Sequence, residues 1–437
     1  VSELVLHVES NRQIGYFQLQ GIMADDNQVI DQFSLEFTRL TLTLPQALDP
    51  GCQLTLRLSY NLRIPPVMDG YEGRWGYWGF TERQINLGHW FPMVAPLVNE
   101  GWNVPRPHFL GEQLTADSAD FELELSLENP PADVLVAGPG LQRELGPNQW
   151  QFTLLGARDL ALSVGEGLRQ TNKRAPDGTQ VEVYYFPSSA PPGLTPAKQA
   201  LDSAAEALVL FEELFAAQYP YERLVIVEGD FPDGMEFSGL VFVGEAWFRT
   251  WRGEPNDWIT AITVHEVAHQ WWYLLVGNDP ANYPYMDEAL ATYSEYLYFQ
   301  RYYGELYDWW WDFRVRSFIN EPRFVDGTVY QYDNARPYIN DVYLTGAKML
   351  HDLRSQLGDA AFFAWLQAYL QHQAYQLATP PALWGMLTPS QYADSAPIRQ
   401  AFLTAPEVLP LPDSPTPAVS ETLTLTDSPT PSMTETP

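Results

Sequence analysis

Through the first 160 residues, apolar side chains alternate with polar ones in short runs such as 53–60 and 120–127, punctuated by Pro, Gly and Asn-Pro turns. A period of two broken this often predicts an all-β domain over 1–160. From about 161 the pattern changes. Residues 180–186 and 224–228 read as strands on either side of a helical run at 196–217. Two stretches without Pro or Gly follow, 258–276 and 286–303, each long enough for a helix. Asp257 is a candidate N-cap for the first, Gly277-Asn278-Asp279-Pro280 stops it, and Gly304 ends the second. Helical patterning continues to about 405, so 161–405 predicts a second domain that mixes strands and helices. The fold class is therefore α+β and multidomain, as expected of 437 residues, more than one core usually serves. From 406 to 437 the composition turns to Pro, Ser and Thr, and Asp-Ser-Pro-Thr-Pro occurs at 413–417 and again at 427–431. Such a segment buries too little apolar surface to order itself, and it reads as a disordered linker or stalk.

His265-Glu266-Val267-Ala268-His269 lies inside the first Gly-free stretch. Residues four apart on a helix lie one turn above each other, so both imidazoles face one side with Glu266 beside them. Glu288 follows after eighteen intervening residues, near the start of the second stretch. Two helices joined by a short loop bring its carboxylate to the imidazoles. Two His and one Glu make the three protein ligands of a catalytic zinc and leave a fourth position for water. One zinc per chain is expected, held by His265, His269 and Glu288, with Glu266 as general base. Metzincins need Gly three residues and His six residues after the second His, and Trp272 and Leu275 stand there instead.

The eighteen-residue gap and Tyr285-Met286-Asp287-Glu288-Ala289-Leu290-Ala291 resemble the zinc aminopeptidases of the gluzincin group, the family of aminopeptidase N and leukotriene-A hydrolase, whose block reads Trp-Leu-Asn-Glu-Gly-Phe-Ala. Gly234-Met235-Glu236-Phe237, placing Glu236 29 residues before His265, resembles that family's Gly-Ala-Met-Glu-Asn motif. The resemblance implies that Glu236, with Gly234 and Met235, binds the free α-amino group of a substrate, an ammonium that a carboxylate suits. Phe237 replaces the family's Asn, so a leakier selectivity is expected. Residues 239–244 read as a strand, and in the family this edge pairs with the substrate backbone.

Tyr343-Leu344-Thr345-Gly346-Ala347-Lys348 resembles the family's Tyr-x-Lys-Gly-Ala segment, which implies that Tyr343 donates a hydrogen bond to the oxyanion of peptide hydrolysis. Tyr330, Tyr332 and Tyr338 are nearby rivals, but none has Gly-Ala after it. Gly88-His89-Trp90-Phe91-Pro92, Gly101-Trp102 and Tyr219-Pro220-Tyr221 look like structural landmarks of the same family. His89, beside two aromatic residues, reads as a structural histidine and not a ligand. Glu295, two turns after Glu288, reads equally as a partner to a ligand histidine or as part of a solvated helix face. The family's folds imply a saddle-like N-terminal antiparallel β domain, then a thermolysin-like metallopeptidase domain over 161–405. Its large C-terminal helical domain has no counterpart in this sequence, which implies a more open cleft.

The function implied is zinc-dependent hydrolysis of peptides with a free N-terminus, releasing N-terminal residues. Two alternatives stay open: a zinc endopeptidase with an open cleft, and a non-catalytic zinc- or peptide-binding scaffold. Glu266 and Tyr343 speak against the scaffold, which needs neither. The formal charge is −31, and with five acidic residues in 406–437 the remainder still carries −26. A surface this acidic repels nucleic acid and anionic membranes. No apolar run of spanning length occurs, so no direct membrane insertion within this chain is expected. Cys52 is the single cysteine and cannot form an intramolecular disulfide. The stalk-like tail favours an extracytoplasmic or cell-surface place, with any signal or anchor outside this chain.

Overall fold

A computed structural model of the chain describes residues 1–25, 28–67, 76–98, 101–319 and 323–408. The Pro/Ser/Thr-rich stalk expected at 406–437 lies, from 409 onward, outside the described residues.

The alternating runs of the N-terminal region become antiparallel strands. Glu3–His7 pairs with Arg39–Thr43 and Met93–Val94, while Phe17–Ala24 pairs with Leu56–Leu62. Leu4, Leu6, Leu40 and Leu42 of the first sheet share one core with Phe17, Ile22 and Leu58 of the second. Two more antiparallel sheets follow, one of Val134–Ala137, Leu162–Glu166, Gln84–Leu87 and Trp78–Phe80, the other of Ala119–Ser126, Gln149–Ala157 and Leu141–Gly146. Along Ala119–Ser126 half-buried and exposed positions alternate, as in a sheet with one face toward water.

The second region is built on a mixed five-stranded sheet. Its strands are β1 (Arg169–Arg174), β2 (Gln180–Tyr185), β3 (Arg223–Gly229), β4 (Gly234–Phe237) and β5 (Leu240–Gly244), in the spatial order β1-β2-β3-β5-β4. β2, β3 and β5 run parallel, and β4 returns antiparallel to β5 as an edge. Leu224 to Val227 and Leu240 to Val243 are fully buried, because both faces of these central strands are covered. Helix α1 (Pro196–Phe215) begins with Pro at its first position, ends at Ala216 in the left-handed conformation (φ 50°), and buries Ala200, Ala204, Ala207 and Phe211. Helices α2 (Trp258–Ala268) and α3 (Glu288–Tyr302) lie in the same core, followed by α4 (Gly346–Leu357) and α5 (Asp359–Gln373).

Two sequence expectations change. The strand at 239–244 is β5, an interior strand; the free edge is β4, which carries Glu236 itself. The stretch 258–276 is helical only to Ala268, although it lacks Pro and Gly. Beyond it the amides of Leu274, Leu275 and Val276 reach back five residues, to the carbonyls of His269, Gln270 and Trp271, each at 3.1 Å, and Tyr273 has φ 94°. Buried Arg158 binds the carbonyls of Leu274 (3.0 Å) and Gln376 (2.8 Å), filling the space where Gly277 has no Cβ. Tertiary hydrogen bonds to an arginine more than a hundred residues away thus override local helix propensity.

Candidate metal centre

The α2 turn between the two histidines stays helical, with His269 N on His265 O at 3.3 Å, so both rings point to one side. Glu288, first residue of α3, faces them. Its Oε2 lies 3.2 Å from His265 Nε2 and 3.4 Å from His269 Nε2, and the two Nε2 atoms are 3.1 Å apart. The other ring nitrogens are engaged. His269 Nδ1 is 3.0 Å from the carbonyl of Trp272, an atom that only accepts, so Nδ1 carries a proton and Nε2 is the nitrogen left to serve as a ligand. His265 Nδ1 is 3.0 Å from Glu295 Oε1 and is fixed in the same way. Two nitrogen lone pairs and a carboxylate oxygen converging at these distances repel one another unless a cation lies between them. The donor set, all three residues buried, fits zinc.

Glu295 is fully buried and is no solvated face. Arg314 donates to both of its oxygens at 2.8 and 2.7 Å, and Trp310 Nε1 donates at 3.1 Å. Burial alone would raise this carboxyl, yet the Arg314 guanidinium and the bond to His265 hold it at about 2. Burial also opposes charge on the two rings, but the carboxylates win: Glu288 and Glu295 push His265 up to about 9, and Glu236 and Glu288 push His269 up as well. The field at this point demands positive charge.

Glu266 stands to one side of the converging atoms. Its Oε2 is buried without a hydrogen-bond partner, and burial together with Glu236 raises the carboxyl to about 8. Gly234 explains itself here. A Cβ at that position would lie 2.2 Å from Glu266 Oε1, so only glycine lets the edge strand pass the carboxylate.

Glu236 is on the same face of β4, with Oε1 3.7 Å from His269 Nδ1, and burial is the main cause of its raised pKa. Met235 and Phe237 alternate to the opposite face and belong to the core beneath the sheet. Met235 therefore has its side chain in the core and could meet a substrate only through its backbone. The Phe237 ring packs edge-on against Tyr77 and His89 at 5.7 and 5.0 Å, away from the cleft. His89 is buried, 3.9 Å from Asp159, and is not a member of the ligand group.

Tyr343 lies on a wide π-helical turn, Ile339–Thr345, a form that often marks functional positions. Its hydroxyl donates to Glu288 Oε1, and its ring stacks on His265 at 5.9 Å and 9°. Burial and the Glu288 charge keep the phenol protonated. Gly346 allows this approach, since a Cβ there would sit 2.5 Å from the Cβ of Ala289. The rivals are occupied elsewhere: Tyr330 on the carbonyl of Arg106, Tyr332 on Asp341, and Tyr338 edge-on against the Tyr343 ring at 5.6 Å.

Three residues of the site were not singled out from the sequence. Gln270 accepts from Gly239 N at 3.0 Å and donates to Phe237 O at 3.1 Å, tying the end of α2 to the edge strand. Asp287 caps α3 through Glu288 N at 2.7 Å and is bonded by Asn278 at 2.9 Å. Glu112 comes from the N-terminal region; its Oε2 is buried and unpartnered, and burial, then Glu236 and Glu288, push its pKa well up. Asp287 could have been noticed in the block around Glu288; no nearby motif announces Glu112.

Residues 199–401 match the Peptidase family M1 domain. Aminopeptidase N of Lactobacillus helveticus is 29% identical over 317 residues, 66% of this chain and 36% of that protein. Aminopeptidase M1-A of Oryza sativa subsp. japonica is 31% identical over 227 residues, 48% of this chain and 25% of that protein. The chain thus spans between a quarter and just over a third of these curated relatives. The M1 zinc metallopeptidase of Deinococcus radiodurans, in a mutant bound to a Tyr-Ser-Ala substrate, shares the fold with a TM-score of 0.64 at 20% identity, over 92% of this chain and 86% of that one. Among the described residues no helix is long and apolar enough to cross a membrane.

Proposed function

We propose that this chain is a zinc aminopeptidase of family M1 that removes residues from the free N-terminus of peptides. One observation carries the reading. The converging lone pairs of His265, His269 and Glu288 are flanked on one side by the unpartnered carboxylate of Glu266 and on another by two further buried carboxylates, Glu236 and Glu112. An endopeptidase or a zinc scaffold has no use for that second pair.

Zinc bound by His265, His269 and Glu288 supplies Lewis-acid polarisation of a carbonyl and of water. Glu266 takes the proton of the attacking water as its oxygen bonds to the carbonyl carbon. It then returns that proton to the leaving amine as the C–N bond breaks. Glu266 accepts the proton as an ionised carboxylate, which His265 and His269 favour against the burial that raises it. Tyr343 turns its phenolic proton from Glu288 to the developing oxyanion. Glu236 and Glu112 hold the α-ammonium, so the first peptide bond is the one that reaches Glu266. Phe237 leaves this end unaltered, since its ring faces the opposite side of the strand.

Hydrolysis of fluorogenic aminoacyl substrates tests the reading, with N-acetylated versions and a chelator as controls. Cleavage of free-amino substrates only, abolished by the chelator, is expected. Equal cleavage of blocked substrates supports an endopeptidase, and no cleavage of either supports a scaffold.

A further inference from the structure

A cavity of about 900 Å³ opens between the N-terminal β region and the helical lobe, with Arg12, His108, Phe109, Asp333, Arg336 and Ile339 on its wall. Its size suits a small-molecule or peptide pocket, about 300–1,000 Å³. It adjoins the site just described. Ile339 opens the turn that carries Tyr343, and Phe109 is three residues from Glu112. Between them stands Tyr338, packed on Tyr343, its hydroxyl 2.8 Å from where a Gly111 Cβ would be.

The charge of this wall departs from that of the chain. Acidic residues outnumber Lys and Arg by 55 to 24 overall, yet among the described residues the cavity wall presents two guanidinium groups and a single carboxylate. Arg12 is committed to Glu9, the His108 carbonyl and Gln113. Arg336 is exposed and lies over the Phe318 ring at 4.7 Å, and no ion pair engages it among the described residues. Its charge acts on Asp233, next to Gly234 on the rim of the edge strand, so it is felt at the cleft. A planar fork with free donors beside an apolar wall is suited to a carboxylate.

We propose that this cavity receives a carboxylate of the peptide being processed, paired with Arg336, and that the protein therefore prefers peptides bearing one near the cleaved end. The inference rests on the aminopeptidase reading and narrows it to anionic substrates. Two parts of a peptide can supply the group: the C-terminus of a short chain, or an acidic side chain.

The test is calorimetric binding to the zinc-loaded Glu266→Gln chain, in which turnover does not interfere. Five tripeptides are compared: a free acid, its C-terminal amide, and three amides carrying Asp in place of Asn at one position each. We expect at least one carboxylate-bearing form to bind about tenfold more tightly than the neutral amide, as a partly exposed charge-assisted hydrogen bond provides. Adding Arg336→Ala should bring that ratio close to one, and Arg336→Lys should keep part of it. A preference for the free acid assigns the chain terminus, and one for the Asp peptides a side chain. Equal affinity for charged and neutral peptides, or a preference that survives Arg336→Ala, overturns the proposal. Wild-type hydrolysis of aminoacyl coumarins, which carry no carboxylate, reports separately on the aminopeptidase reading.

Discussion

The two ends of the cleft treat their buried carboxylates in opposite ways. At the metal end, Glu288 is bonded to two imidazoles and Glu295 to Arg314, Trp310 and His265; although burial works against both charges, these partners hold each carboxyl at about 2. At the other end, no hydrogen bond to a cationic side chain holds Glu112 or Glu236 among the described residues; His269 lies 3.7 Å from Glu236, and burial outweighs its pull and drives both carboxyls upward. One end is built to keep its negative charge under all ordinary conditions. In the proposed function, the other gains full value from its charge only when a ligand brings an ammonium. On that reading, the metal end is a permanent part of the structure, and the other end is a recognition device whose counter-charge arrives with the substrate.

Removing the proton acceptor should have the largest effect, because it silences the chemistry while leaving both ends in place. Glu266→Gln should lower kcat by about 10²–10⁴, with zinc content measured by atomic absorption unchanged. Substantial residual kcat would assign the base elsewhere. Tyr343→Phe comes next, with kcat lower by about 10²–10³ and KM nearly constant, since its hydrogen bond gains strength only in the transition state. A change in KM alone would make the phenol a ground-state contact.

The metal end can then be loosened by itself. Glu295→Gln weakens the partner that orients His265 and leaves Arg314 without its counter-charge, and competition with a chelator should show zinc affinity about 10–100-fold lower. Unchanged affinity would remove Glu295 from the account. The smallest effect is on stability. Glu266 is raised to about 8 from 4.5, so the stability tied to its protonated form is fully present below 4.5 and is lost as pH rises through 8. The Tm of metal-free protein should therefore fall by a few degrees over that window. Glu266→Gln, neutral throughout, should flatten the slope.

These two ends also differ in how far the sequence revealed them. His265, His269 and Glu288 sit on regular helices, where a fixed period turns spacing into position. The strands and α1 were equally readable, their ends falling within three residues of the pattern. The chain beyond Ala268 was not, because its geometry answers to Arg158 and not to its neighbours. Nor was the edge, since pairing order across a sheet is a tertiary fact: β5 looked like the border and β4 occupies it. Glu112 remained invisible because it reaches the cleft through packing of Gly111 against Tyr338 and Val329, contacts made across more than two hundred residues. Glu295 could be read two ways until Arg314 supplied its partner.

Recognition of a free α-ammonium by Glu236 and Glu112 is read from the ratio of kcat/KM for free-amino over N-acetylated substrates. Wild type should show a large ratio. Glu236→Ala should lower kcat/KM about ten- to hundred-fold for the free-amino substrate, the worth of a truncated charge-assisted hydrogen bond, and leave the slow N-acetylated reaction nearly untouched. A wild-type ratio near one, or a Glu236→Ala enzyme whose ratio equals that of wild type, would contradict the claim while leaving the metal centre intact.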